Sequence, residues 1–168
     1  ASNRLGTLYS QFRKFEDALH QYQRADQLLD SILDIGSFRR DVDPARLIAL
    51  HIDNKNHLAM TKAELGAVDQ AIQDLLATHQ RVQDQLASSS ATASLSTITL
   101  KTALAITENN LAALYLAKNE YASANRWLSM ATPTLTNMLD TNPTDESLLR
   151  ALAAAKINLA KVHANDTT

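Results

Sequence analysis

Histidine and carboxylate side chains are the groups of this chain that could bind a metal ion or transfer a proton. Zinc sites on helices often use two histidines three or four residues apart, because this spacing puts both rings on one face. No histidine pair of the chain has this spacing, and no His-Glu-x-x-His pattern is present. The five histidines are His20, His51, His57, His79 and His163. We therefore predict no metal site.

Other patterns that accompany catalysis are also missing from the sequence. The three glycines are isolated, at positions 6, 36 and 66, so no glycine-rich loop is available to hold a phosphate. Asp41 and Asp43, like Asp145 and Glu146, lie where helices are expected to begin, and a carboxylate there caps free backbone N–H groups. We predict that the chain is not an enzyme, has no catalytic residue and uses no cofactor.

The composition indicates a helical globular protein and excludes two classes of partner. Of the 168 residues 45% are hydrophobic, 5% are aromatic, and only three are Gly and three Pro, which favours helix over sheet. The net charge is −2 and no basic tract is present, so nucleic-acid binding is not expected. No run approaches the ~20 apolar residues that a membrane span needs, and no membrane insertion is expected.

The first residues indicate a piece of a longer protein. The chain opens on Ala1-Ser2-Asn3 in the middle of a pattern, without an initiator Met or a signal peptide. The chain has no cysteine, which rules out disulfides but leaves the compartment open. The cytoplasm is favoured over the periplasm.

Three segments of the sequence align without gaps at a spacing of 53 residues. Each begins with Leu and a small residue and has a second small residue further on, where two helices would cross closely. The small residues are Gly6 with Ala18, Ala59 with Ala71, and Ala112 with Ala124. Tyr9 and Tyr115 would fill the space between two paired helices. A fourth, partial copy begins at Asn158-Leu159-Ala160.

At these residues the chain resembles the tetratricopeptide repeat (TPR) family, in which Leu-Gly is followed by Tyr and later by Ala. The usual period of that family is about 34 residues, so this chain would be a variant with elongated repeats. The resemblance implies an all-α fold, a right-handed α-α superhelix of about seven long helices. It also implies that the superhelix is a TPR-like solenoid.

We predict helices at about 2–12, 15–35, 44–64, 67–87, 94–117, 120–139 and 144–164. They would form one TPR-like domain, 1–168, with repeats at about 2–36, 43–88 and 94–140 and a terminal helix at about 144–164. Asp43-Pro44 and Asn142-Pro143 each supply an N-cap and a first helical Pro, and Gly36 supplies a helix end. Pro133 removes a backbone hydrogen bond, which predicts a kink or a restart capped by Thr132.

By resemblance to the family, the first helix of each pair would line a concave face that binds a peptide or protein partner. The lining positions would be Asn3, Thr7, Ser10 and Gln11; Asn56, Met60, Ala63 and Glu64; and Asn109, Ala113, Leu116 and Ala117. Asn recurs at one position in three copies, and a side-chain amide can both donate to and accept from a peptide backbone. The alternative is that these amides are only solvated.

Two further functions stay open. The terminal helix would leave an apolar face uncovered and allow self-association, through Leu148, Leu152, Ala155, Leu159 and Val162. The segment Asn142-Pro143-Thr144-Asp145, followed by Leu148-Leu149, resembles elongated repeats found behind bacterial serine/threonine kinase domains. That resemblance implies a regulatory or oligomerisation domain of a larger signalling protein.

Overall fold

The computed structural model describes residues 2–35, 44–88 and 95–165, and within these ranges the chain is α-helical with no β-strand. The predicted all-α class is confirmed, and the helix ends lie within two residues of the predicted ones. The helices are α1 (Ser2–Gln11), α2 (Phe15–Ile35), α3 (Pro44–Glu64), α4 (Val68–Ser88), α5 (Leu95–Ala117), α6 (Tyr121–Thr141) and α7 (Glu146–Asn165). In this described part, no helix has the length and apolar character needed to cross a membrane.

One turn geometry joins α1 to α2, α3 to α4 and α5 to α6. In each turn one residue has a positive φ: 57° at Arg13, 90° at Gly66 and 60° at Asn119. The N–H of the following residue donates to the carbonyl five residues earlier, at 2.9 Å in all three turns. This is the Schellman ending of a helix, in which a left-handed residue allows the last carbonyls to be bonded. The turn therefore recurs at the same 53-residue spacing as the sequence pattern.

The chain divides into two compact units, Ala1–Thr78 and His79–Thr168, whereas the sequence analysis treated it as one domain. In the first unit α2 packs against both α1 and α3. Its core contains Ala18, Tyr22 and Leu58. A Cβ atom placed on Gly6 would lie 2.8 Å from Cε1 of Tyr22, so the expected close approach of α1 to α2 is present.

In the second unit α5 packs against α6, and α7 packs against both of them. The core is built from small and aliphatic residues of these helices, with Trp127 partly buried at its edge. The apolar face of α7 that was expected to be uncovered belongs to this core. Leu148, Leu152, Ala155 and Val162 are buried, so that expectation was wrong.

Two details at the helix ends also correct the sequence analysis. Pro133 lies inside α6, which continues through it as one helix, so there is no restart at Thr132. Asn142 is the C-cap of α6 and not the N-cap of α7. The N-terminus of α7 is capped by Asp145, whose Oδ1 accepts from the backbone N–H groups of Ser147 (2.8 Å) and Leu148 (3.1 Å). The expected capping role of Asp145 is confirmed, while Gly36, Asp41 and Asp43 lie outside the described residues.

Candidate functional site

A cluster of charged side chains lies between α2 and α3 in the first unit. The ring Nε2 of His51 is 3.0 Å from Oδ1 of Asp26 and 3.3 Å from Oδ1 of Asp30. The other carboxylate oxygen of Asp26, Oδ2, accepts from Nζ of Lys55 at 2.6 Å. His51 is buried, whereas the side chain of Asp30 is 49% exposed. The cluster therefore begins inside the helix interface and opens to solvent at Asp30.

Helix geometry places these four residues together. Asp26 and Asp30 are one turn apart on α2, as are His51 and Lys55 on α3, so each pair lies on one face of its helix. Burial alone would raise the pKa of Asp26. The hydrogen bonds from His51 and Lys55, with their positive charge, lower the pKa of Asp26 by more than burial raises it. Asp26 is therefore held in its charged form.

A fifth polar residue, Asn54, adjoins the cluster and is fully buried. Its Nδ2 donates to the backbone carbonyl of Tyr22 at 3.1 Å and lies 3.5 Å from Oδ1 of Asp26. Its Oδ1 has no donor within the described residues. A buried acceptor without a donor is uncommon in a folded protein, because the water lost on burial is normally replaced by another hydrogen bond.

The second unit has a histidine–glutamate contact at the equivalent repeat positions. His79 and Glu108 lie 53 residues after Asp26 and Lys55, and their side chains meet at 3.1 Å with both groups buried. The His79 ring also contacts the ring of Trp127 edge-on, with centroids 5.0 Å apart. In the first unit the acidic residue lies on α2 and the basic residue on α3, whereas His79 lies on α4 and Glu108 on α5. Because the residue types are exchanged, a comparison of the copies by residue type does not show that these positions correspond.

Two of the three predicted asparagines, Asn3 and Asn109, contact another helix of their own unit. Nδ2 of Asn3 is 3.4 Å from Oδ2 of Asp53 on α3. Asn109 is buried, and its Oδ1 accepts from Nδ2 of Asn158 on α7 at 3.2 Å. Asn56, the third member, is buried as well. The amide of Asn109 is thus engaged within the fold, and little of its surface remains for a partner.

The other predicted lining positions keep their access to solvent in all three copies. The copies begin at Leu5, Leu58 and Leu111. In each copy the residues two and five positions after this Leu are partly exposed: Thr7, Ser10, Met60, Ala63, Ala113 and Leu116. The residues six positions after it are exposed: Gln11, Glu64 and Ala117. The small residue next to each Leu is buried. The same strip of each first helix is therefore available for contact.

A separate apolar strip lies on the outer face of α7. Leu149 and Ile157, two turns apart on this helix, are 45% and 59% exposed. Sequence reasoning missed this strip because Leu148 and Leu149 are adjacent and chemically identical. Only packing of α7 on α5 and α6 distinguishes the buried Leu from the exposed one.

The histidine spacing predicted no metal ligands, but the structure brings three candidate ligand atoms together. One side-chain oxygen each from Asp26 and Asp30 and a ring nitrogen of His51 all lie within 4.8 Å of one another. Histidine spacing does not indicate this group, because its one histidine is 21 residues beyond the nearer carboxylate. The one signal in the sequence was the pair of aspartates four residues apart.

Comparisons with protein-family models, with curated proteins and with solved structures found no match to this chain.

Proposed function

We propose that the chain is a protein–protein interaction module that binds a peptide or protein partner along its first helices. The observation that carries this proposal is the recurrence of one exposed strip on α1, α3 and α5, while the neighbouring small residues are buried. By resemblance to the TPR family, this strip would face the concave side of a right-handed superhelix. That superhelical arrangement is part of the proposal.

The chemistry of the strip favours contact with an apolar or extended segment. The strip has accessible apolar surface at Met60, Ala113 and Leu116. It has polar groups in the first copy, at Thr7 and Gln11. Because some side chains of the strip are small, a partner can approach the helix backbone closely there. We therefore assign recognition to the positions after each Leu. The buried asparagine of the third copy, which is bonded to α7, belongs to the scaffold.

Selection from a random peptide library displayed on phage tests the proposal. Peptides selected on the unmodified chain should bind at least tenfold more weakly when Met60→Glu or Ala113→Glu introduces a buried charge into the contact. The thermal midpoint of unfolding should change little, because both positions are already partly solvated. Binding is measured by calorimetry on the synthesised peptides.

Matched controls are available on α6. Met130→Glu and Ala122→Glu introduce the same changes at exposed positions of a second helix and should leave peptide binding unaltered. Selection of no binding peptide, or an equal loss of affinity from the control variants, would reject the first-helix strip as the binding surface.

A second candidate function is self-association through the outer face of α7, in keeping with an oligomerisation or regulatory domain of a larger signalling protein such as a serine/threonine kinase. The exposed Leu149 and Ile157 favour it. Sedimentation velocity over a range of concentrations should then show a dimer that Ile157→Lys abolishes. Leu28→Lys, at an exposed position of α2, should leave the dimer intact. A monomer at every concentration would exclude this function.

A further inference from the structure

We propose that Asp26, Asp30 and His51 bind a first-row divalent cation, with zinc as the best fit, in the gap between α2 and α3. The three ligand atoms are Oδ1 of each carboxylate and Nε2 of the ring, and they come from two helices of one compact unit. This inference is independent of the proposed partner-binding function.

The distances among the ligand atoms are close to those found around a small metal ion. Zinc binds nitrogen and carboxylate oxygen at about 2.0–2.2 Å, which places two tetrahedral ligands about 3.3–3.6 Å apart. The two edges from His51 Nε2 measure 3.0 Å to Asp26 and 3.3 Å to Asp30. The edge to Asp30 lies at the lower end of this range, whereas Asp26 and His51 would have to separate by a few tenths of an ångström around a cation. The third edge, between the two carboxylates, is no longer than 4.8 Å.

The charges around the cluster are compatible with a divalent ion. Asp26 and Asp30 contribute two negative charges, and Lys55 offsets one of them through Oδ2 of Asp26. Oδ1 of Asp26, the oxygen that faces His51, is not the one that Lys55 contacts. Zinc coordinates a neutral imidazole ring, so Nε2 of His51 would bind the ion through its lone pair.

Asn54, beside the cluster, has one buried polar atom without a partner in the described part of the chain. Its side chain is fully buried and its amide faces Oδ1 of Asp26. Its own Oδ1 is an acceptor with no donor among the residues that the structure describes. Buried acceptors of this kind are normally bonded to an ordered water, and a cation with only three protein ligands carries water on its remaining positions.

The donor set determines which cations are favoured. A ring nitrogen with two carboxylate oxygens suits zinc and cobalt, whereas calcium requires six to eight oxygens and magnesium a near-octahedral set of oxygens. The exposed side of the cluster at Asp30 lets the ion exchange with solvent. The arrangement therefore predicts a reversible zinc site and no response to magnesium or calcium.

Calorimetric titration of the tag-free chain with ZnCl2 tests the site. One ion per chain should bind, and Asp30→Asn should weaken binding at least tenfold, because a carboxamide is a poor zinc ligand. Asp30 is half exposed, so this variant should fold even if substitution of the buried His51 does not. MgCl2 and CaCl2 should give no heat of binding at the same concentrations.

The matched control is the exposed pair Asp53 and His57, whose side chains also meet at 3.6 Å with i, i+4 spacing. Asp53→Asn should leave the zinc affinity unchanged. Nitrogen-15 spectra of the histidine rings should show a shift at Nε2 of His51 on zinc addition. Absence of a stoichiometric site, equal affinity of Asp30→Asn, or loss of binding in Asp53→Asn would overturn the proposal.

Discussion

At the scale of single residues, two glycines of the first unit have different physical requirements. Gly66 has a φ of 90°, and a Cβ atom placed on it would meet no described atom within 4 Å, so its requirement is one of backbone conformation. Gly6 is in a regular helix, and its requirement is space for the ring of Tyr22. Tyr22 cannot easily move aside, because it is buried and its hydroxyl donates to Oγ1 of Thr7 at 3.2 Å.

We expect Gly6→Ala to lower the free energy of unfolding by about 1 kcal/mol, although Ala is the better helix former. Overpacking against Tyr22 costs about 1–3 kcal/mol and outweighs the gain in helix propensity of about 1 kcal/mol. Ser10→Ala on the same helix is the control and should be neutral or slightly stabilising. Chemical denaturation followed by circular dichroism measures both, and a stabilised Gly6→Ala variant would contradict the packing of α1 on α2.

At the scale of elements, polar residues connect each second helix to the first helix that follows. Asp26 with Lys55 joins α2 to α3, and His79 with Glu108 joins the second-unit part of α4 to α5. The positions correspond but the chemistry is exchanged. A contact between an acidic and a basic side chain can form in either orientation, so both arrangements can join the two helices.

The orientation of α7 leads to a prediction at the element scale. Leu148→Ala should lower the free energy of unfolding by about 2–5 kcal/mol, because Leu148 is 4% exposed and packs in the core of the second unit. Leu149→Ala, one residue away, should cost less than about 1 kcal/mol. The fluorescence of Trp127, the single tryptophan, reports directly on this core during denaturation. Equal effects of the two substitutions would show that α7 is rotated differently.

At the scale of the whole molecule, the two compact units each contain a buried or half-buried acid–base pair. Two units can unfold in separate transitions, because a single cooperative transition is expected only for a single domain. Unfolding of this chain should therefore be followed with more than one probe. Trp127 reports on the second unit, whereas circular dichroism follows all the helices.

The lowered pKa of Asp26 predicts how acid affects stability. A carboxyl group whose pKa is lower in the folded chain than its ordinary value of 3.8 stabilises the fold at pH values above 3.8. This contribution is lost as the pH falls through the folded pKa. At neutral pH, Asp26→Asn should therefore lower the free energy of unfolding by about 1–3 kcal/mol.

The difference in the free energy of unfolding between the unmodified chain and Asp26→Asn should become smaller as the pH is lowered below about 4. Asp53→Asn, at an exposed carboxylate, is the control and should show a much smaller difference at neutral pH. Urea denaturation at a series of pH values makes the measurement. A difference that stays constant as the pH falls to about 2 would contradict the assigned interactions of Asp26.

The helices and their approximate ends could be predicted from the sequence because their causes are local. Apolar spacing within one or two turns indicates a helix, and Pro44 at the first helical position marks a helix start. Where local signals competed, prediction was less accurate. Asn142 and Asp145 are both good N-caps, and the structure uses Asp145.

The polar clusters and the exposed surfaces depend on how the helices pack, and the sequence alone does not contain that information in readable form. Asp26 and His51 are 25 residues apart, and they meet because α2 and α3 pack with particular faces in contact. Leu148 and Leu149 have the same chemistry and opposite environments for the same reason. Hydrogen bonding along the chain determines where a helix forms, whereas burial of apolar surface between distant helices determines which of its side chains meet.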